Sequence, residues 1–261
     1  MPDSLATNGR TGPIPGDAVP AAAGPRPAAG AGIPHESARA HVSGEAVYLD
    51  DIPPARGELL VDFVGSPVAR GKILRIDLDA ARGVEGIVAV LTADDIPGVK
   101  AFGPIVEDED VLARTECRHV GQPVVLLASA SREALRRAKA AIRIDVEPIA
   151  PVLSIDRAIA EDRFHGPTRT IARGDAALAL ANAEHVLEGK LRTGGQEHFY
   201  LEPQAARAVP GEDGQILVQS STQNPSEVQS VVAKVLGLPY NKVVCECRRM
   251  GGAFGGKETQ A

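Results

Sequence analysis

The apolar positions of this chain change period several times, and each change predicts an element. GIVAVL (86–91) and PVVLLASA (123–130) are short Val/Leu-rich runs that predict strands, the second buried on both faces. Between them, Thr92 is placed to cap one helical turn that Pro97 ends. In SREALRRAKAAIRIDVE (131–147), Ser131 is a fitting N-cap, and Ala134, Leu135, Ala138 and Ala141 recur at helical spacing. Alternation then takes over: Ile142, Ile144 and Val146 share one face of a strand. Arg132, Arg136, Arg137 and Lys139 lack interleaved aromatics and read as the solvated face of that helix.

The segment 147–167 carries three prolines and several charges, so it reads as a crossing connector, and GDAALALANA after it as a short helix. EHVLEGKLRT (184–193), QILVQSS (215–221) and KVVCECRR (242–249) read as strands. The clearest helix lies between the last two. Asn224 caps it, Pro225 takes its first position, Gly237 follows its last turn, and Val228, Val231, Val232, Val235 and Leu236 form one stripe. Gln223 and the loop after KVVCECRR thus flank one strand–helix–strand unit.

Composition narrows the picture. The first 34 residues are dominated by Ala, Pro and Gly without hydrophobic period, which predicts a disordered tail. Eight aromatics in 261 residues require an aliphatic core. A net charge of −6 offers no field for nucleic acid, and no apolar run approaches the roughly 20 residues of a membrane span. Three cysteines, an odd number, lead to the expectation of reduced thiols in the cytoplasm. Cys245 and Cys247 share a strand face but are too few for a zinc or iron–sulfur set, and read as small core residues.

The loop RRMGGAFGGKET (248–259) resembles the start of a phosphate-binding loop, since four residues separate Gly251 from Gly256-Lys257. Its chemistry is wrong for that role. Glu258 occupies the place of the magnesium-ligating hydroxyl, and a carboxylate there repels phosphate. No dinucleotide fingerprint can be laid over it either. A plain tight turn with Lys257 and Glu258 in water is the simplest alternative. Against it, four glycines around a single Phe254 bare the backbone for close approach of a bulky ligand, and a Lys–Glu pair follows directly.

RMGGAFGGKE resembles the cofactor loop of the molybdenum subunit of xanthine dehydrogenases. ESARAHVSGEAVYLDDIP (36–53), HVGQPVVLLAS (119–129), GGQEHFYLEPQA (194–205) and SSTQNPSEVQ (220–229) resemble other segments of that subunit, in the same order. The resemblance implies an α+β chain: a hammerhead domain at 35–150, a connector at 151–164, and the truncated start of a molybdopterin-binding domain at 165–261. It also implies roles. In the family, a glutamine matching Gln223 hydrogen-bonds an oxygen ligand of molybdenum, and the backbone at Phe254 and Gly255 approaches the metal's ligands. Gly252 belongs to the same cofactor loop, Gln196 is a weaker cofactor candidate, and His198 is expected to be structural. Glu258 matches the glutamate that binds and polarises the purine; aldehyde oxidases generally lack it, which points to hypoxanthine or xanthine as substrate. Ala253, where the usual loop has Gly, must have a φ that suits a side chain.

The implied cofactor is molybdopterin–molybdenum. A partner subunit would carry 2Fe-2S clusters and FAD and pass electrons to NAD, in a dimer of heterodimers. The resemblance further implies that a full subunit supplies its substrate arginine, stacking phenylalanines and general base beyond Ala261. The expectation is a fragment that does not turn over alone; a non-catalytic interaction module, or another substrate of the same family, is the alternative.

Overall fold

The computed structural model describes residues 32–258. Most of the expected tail (1–34) lies outside the described residues. Contacts divide the chain into Met1–Ala46 and Val47–Ala261. In the first unit, helix α1 (Ala38–Ser43) ends at Gly44, whose φ of 76° closes the turn.

The second unit mixes helices with small sheets. Strands β1 (Leu60–Gly65), β2 (Gly71–Asp77) and β3 (Ile87–Leu91) come early, with helix α2 (Asp79–Arg82) between the last two. Short strands β4 (Ala101–Phe102), β5 (Glu109–Asp110) and β6 (Glu116–Cys117) follow, then β7 (Pro123–Ser129), helix α3 (Arg132–Ala141) and β8 (Arg143–Pro148). The sheets are β1-β7-β3 and β6-β2-β8, with β4-β5 a hairpin, all antiparallel. β7 is central in its sheet, which explains its unbroken apolar run: Val124, Val125 and Leu127 are fully buried. α3 starts as predicted, Ser131 accepting from the N–H of Ala134, and packs Leu135 and Ala138 into the same core. Its outer face is partly paired rather than simply solvated. Arg136 meets Glu133, and Lys139 reaches both carboxylate oxygens of Asp62 at 2.9 Å.

The stretch read as a connector holds a helix, α4 (Ile155–Ala160), capped by Ser154, and α5 (Ala176–Ala181) follows. The strand expected at 184–193 does not form; these residues are exposed and irregular. Their alternation is real, but a strand needs a partner for its hydrogen bonds, and none pairs with it among the described residues.

The last sheet positions the site. β9 (Ala206–Pro210) pairs antiparallel with β10 (Ile216–Ser220), and β10 pairs parallel with β11 (Val243–Glu246). Helix α6 (Pro225–Leu236) makes the crossover between the parallel pair, as its caps predicted: the Asn224 side chain accepts from Glu227 N, and Gly237 adopts φ 65°. Val228 and Ala233 bury against Val218 and Val243, while Val231, Val232, Val235 and Leu236 are half-buried. Contacts from both the sheet and α6 reach the earlier elements. Arg207 binds both oxygens of Glu58, and the N–H groups of Gly98 and Val99 donate to the carbonyls of Val235 and Lys234 at the end of α6. No helix among the described residues is long and apolar enough to cross a membrane.

Candidate functional site

Because β10 and β11 run parallel, their C-terminal ends lie at one edge of the sheet, where ligands of such folds collect. Gln223 leaves β10 at that edge and residues 251–258 leave β11 there. The loop folds back on the end of β10. The carbonyl of Lys257 accepts from Gln223 N at 2.8 Å and from Thr222 Oγ1 at 3.2 Å. Gln223 Oε1 accepts in turn from Gly255 N at 2.9 Å and Lys257 N at 3.3 Å. Both partners are backbone donors, so the atom facing them must be the amide oxygen. Nε2 is left as a neutral donor on an exposed side chain.

The loop conformation requires its glycines. Gly252 and Gly255 sit at φ 97° and 96°, where other residues are strained. A Cβ on Gly256 would lie 2.7 Å from the Tyr200 ring, and one on Gly251 2.5 Å from Glu202 Cβ. Phe254 holds φ 53° and leaves its ring 76% exposed. Ala253 is buried and outside the left-handed region, so the departure from Gly costs nothing there.

The lysine–glutamate pair at the end of the loop divides. Glu258 is exposed, whereas Lys257 is 0% exposed, contrary to the solvated turn. Its Nζ donates to Ser221 Oγ at 2.7 Å and to Glu202 Oε2 at 3.2 Å, and stands 4.8 Å from the centre of the Tyr200 ring. Glu202 Oε2 also accepts from Ser221 Oγ at 2.6 Å and Gly251 N at 2.7 Å. Burial pushes the Glu202 carboxyl up, but these three donors outweigh it and hold the group below the usual carboxylate range. Sequence reasoning missed this cluster. The available signal was a lone carboxylate, Glu202, between Leu201 and Pro203, a poor place for an unpaired charge.

Gln223, Gly252, Phe254, Gly255 and Glu258 therefore belong to one loop-and-edge assembly. Gln196 does not join it by any contact among the described residues; it is exposed, and its Nε2 donates to Glu197 O. The ring of His198, an exposed residue, lies beside Gly255 and Gly256. Burial, and secondarily Cys247, raises the pKa of the Cys245 thiol. A groove of about 1320 Å³ lies between β1, α3 and β9, and Gln204 on its lining donates from Nε2 to Gly256 O.

The site suits a large cofactor rich in oxygen acceptors. It combines a bare backbone, one outward amide donor and an exposed aromatic ring, while Glu202, buried under the loop, is already matched by Lys257.

Comparison with known proteins agrees with this. Residues 43–150 match the aldehyde oxidase and xanthine dehydrogenase a/b hammerhead domain, and residues 160–261 match the molybdopterin cofactor-binding domain. The chain is 41% identical to the xanthine dehydrogenase/oxidase of Felis catus over 230 residues, which are 88% of this chain and 17% of that protein. Among solved structures it resembles quinoline 2-oxidoreductase from Pseudomonas putida 86, with TM-score 0.74 and 26% identity, covering 86% of this chain and 31% of that one. It also resembles the aldehyde oxidoreductase from Desulfovibrio gigas, with TM-score 0.73 and 26% identity, covering 86% and 27%. The chain thus spans about a sixth of its curated relatives' length.

Proposed function

The chain belongs to the family of aldehyde oxidases and xanthine dehydrogenases, and we propose that it forms part of the molybdenum-cofactor subunit of a xanthine dehydrogenase. In this reading residues 35–150 are the hammerhead domain, 151–164 the connector, and 165–261 the start of the cofactor domain. The cofactor would oxidise an electron-poor ring carbon, turning C–H into C–OH with oxygen from water and releasing two electrons and two protons.

The chain's own residues bind and orient. Gln223 donates from Nε2 to an oxygen of the cofactor, which a neutral amide does without adding charge. Gly252, Phe254 and Gly255 offer a backbone without side chains at the contact, and the Phe254 ring covers an apolar surface of the ligand. Glu258 accepts from ring N–H groups of a purine and orients the carbon to be oxidised. A partner subunit carrying 2Fe-2S clusters and FAD would take up the electrons and pass them to NAD, in a cytoplasmic dimer of heterodimers.

The observation that carries this reading is the bond from Gly255 N to Gln223 Oε1, which joins the two motifs into one site. A second reading, an aldehyde or another N-heterocycle as substrate, is favoured by the two similar solved structures, one named for quinoline and one for aldehydes. The higher identity to xanthine dehydrogenase and the presence of Glu258 favour the purine. The test is molybdenum content of the full-length protein together with turnover of xanthine, quinoline and an aldehyde side by side. Molybdenum with preferred xanthine turnover is expected. A protein that binds molybdenum but prefers the aldehyde would overturn the substrate, and one that binds none would overturn the whole reading.

A further inference from the structure

The proposed chemistry gives the buried ammonium of Lys257 no task, yet a charge without solvent contact is costly unless its surroundings compensate it. Glu202 and Ser221 do so, and the way they do it closes a ring. Glu202 Oε2 holds Gly251 N at the loop's beginning and Lys257 Nζ at its end, while the Glu202 N–H donates to Gly251 O at 3.2 Å. Ser221 stands two residues before Gln223 and bridges the two charges. The clamped residue is also the one whose carbonyl and N–H grip Gln223. Filling the space would need only an apolar chain of equal length. An ion pair adds direction, because its hydrogen bonds tolerate fewer geometries than apolar packing does.

We propose that Lys257 is a positioning residue: clamped by Glu202 and Ser221, it sets the Gln223 amide and the opening of the 251–257 loop toward the cofactor. The proposal rests on the reading of this edge as the cofactor site.

The test uses the full-length protein with Lys257→Met and the paired variant Glu202→Gln/Lys257→Met. Three quantities are measured: molybdenum per protein, kcat and KM for xanthine, and the thermal midpoint. Lys257→Met alone strands the Glu202 charge and lowers the midpoint. The paired variant removes both charges, so its midpoint returns toward wild type. Positioning predicts that molybdenum content, or kcat per bound molybdenum, stays roughly 10–100-fold low in the paired variant despite the recovered stability. KM, set by the substrate contacts, stays within about twofold. If molybdenum content and kcat recover along with the midpoint, the cluster is only structural and the proposal falls. If Lys257→Met is insoluble, the paired variant alone decides between these outcomes. A wild-type protein without molybdenum would instead overturn the cofactor reading, and this proposal with it.

Discussion

Gln223 and Gly255 stand 32 residues apart and meet at 2.9 Å, the side-chain carbonyl of one accepting the backbone N–H of the other. The bond uses the acceptor end of the amide and frees the donor end. It exists because β10 and β11 are parallel, so a residue leaving each strand emerges at the same edge.

Gln223→Glu keeps an acceptor for Gly255 and Lys257 but replaces the outward donor with a charged oxygen. The fold should survive, with a thermal midpoint close to wild type. Turnover should fall roughly 10–100-fold. Steady-state kinetics at equal molybdenum content check this, and unchanged kcat would remove Gln223 from the site.

Glu258→Gln tests the purine contact. Xanthine kcat/KM should drop about tenfold or more, since an oriented charge is lost at the substrate. Oxidation of a simple aldehyde, which has no ring N–H to recognise, should change much less. Equal losses on both substrates would argue against substrate recognition by Glu258.

Acid stability should report on Glu202, whose folded pKa is lowered: burial raises it, and the Gly251 N–H, Ser221 hydroxyl and Lys257 ammonium more than offset that. Such a carboxyl takes up a proton more readily when unfolded. Its stabilisation is therefore full above the unfolded value and is lost as pH falls through the folded one. The window lies below a pH of about 4.3. Thermal midpoints of wild type and Glu202→Gln, followed from neutral pH to about pH 3, should converge there. Curves that stay parallel would show that the cluster does not titrate with folding.

Gly98→Ala tests the contact that ends α6. A Cβ would sit 2.0 Å from the Lys234 carbonyl oxygen and 2.7 Å from Gly237 N, both backbone atoms that yield little. It would also push the N–H groups of Gly98 and Val99 off the last carbonyls of the helix. A loss of about 1–3 kcal/mol is expected, read from chemical denaturation. A variant as stable as wild type would mean that the loop at 98 can move freely from the helix.

Much of the local structure was legible in the chain. The caps of α6 and α3 and the apolar run of β7 identified those elements because side-chain period and end-group chemistry act over a few residues. The segment 184–193 shows the limit. Its alternation satisfies a strand's pattern, but pairing requires a partner that neighbouring residues do not specify. β9 was missed for the converse reason, since Ala-Arg-Ala-Val-Pro has weak strand character and is held by pairing with β10.

The site divides in the same way. Sequence alone determined which residues were its candidates, because glycines in a row, an amide before a helix cap and a carboxylate after the loop are local chemical choices. Tertiary structure decided which of them meet: the parallel register joined Gln223 to Gly255 and left Gln196 outside. It alone also showed Lys257 to be buried on Glu202, because the cost of hiding a charge depends on groups 36 and 55 residues away that only folding brings within reach.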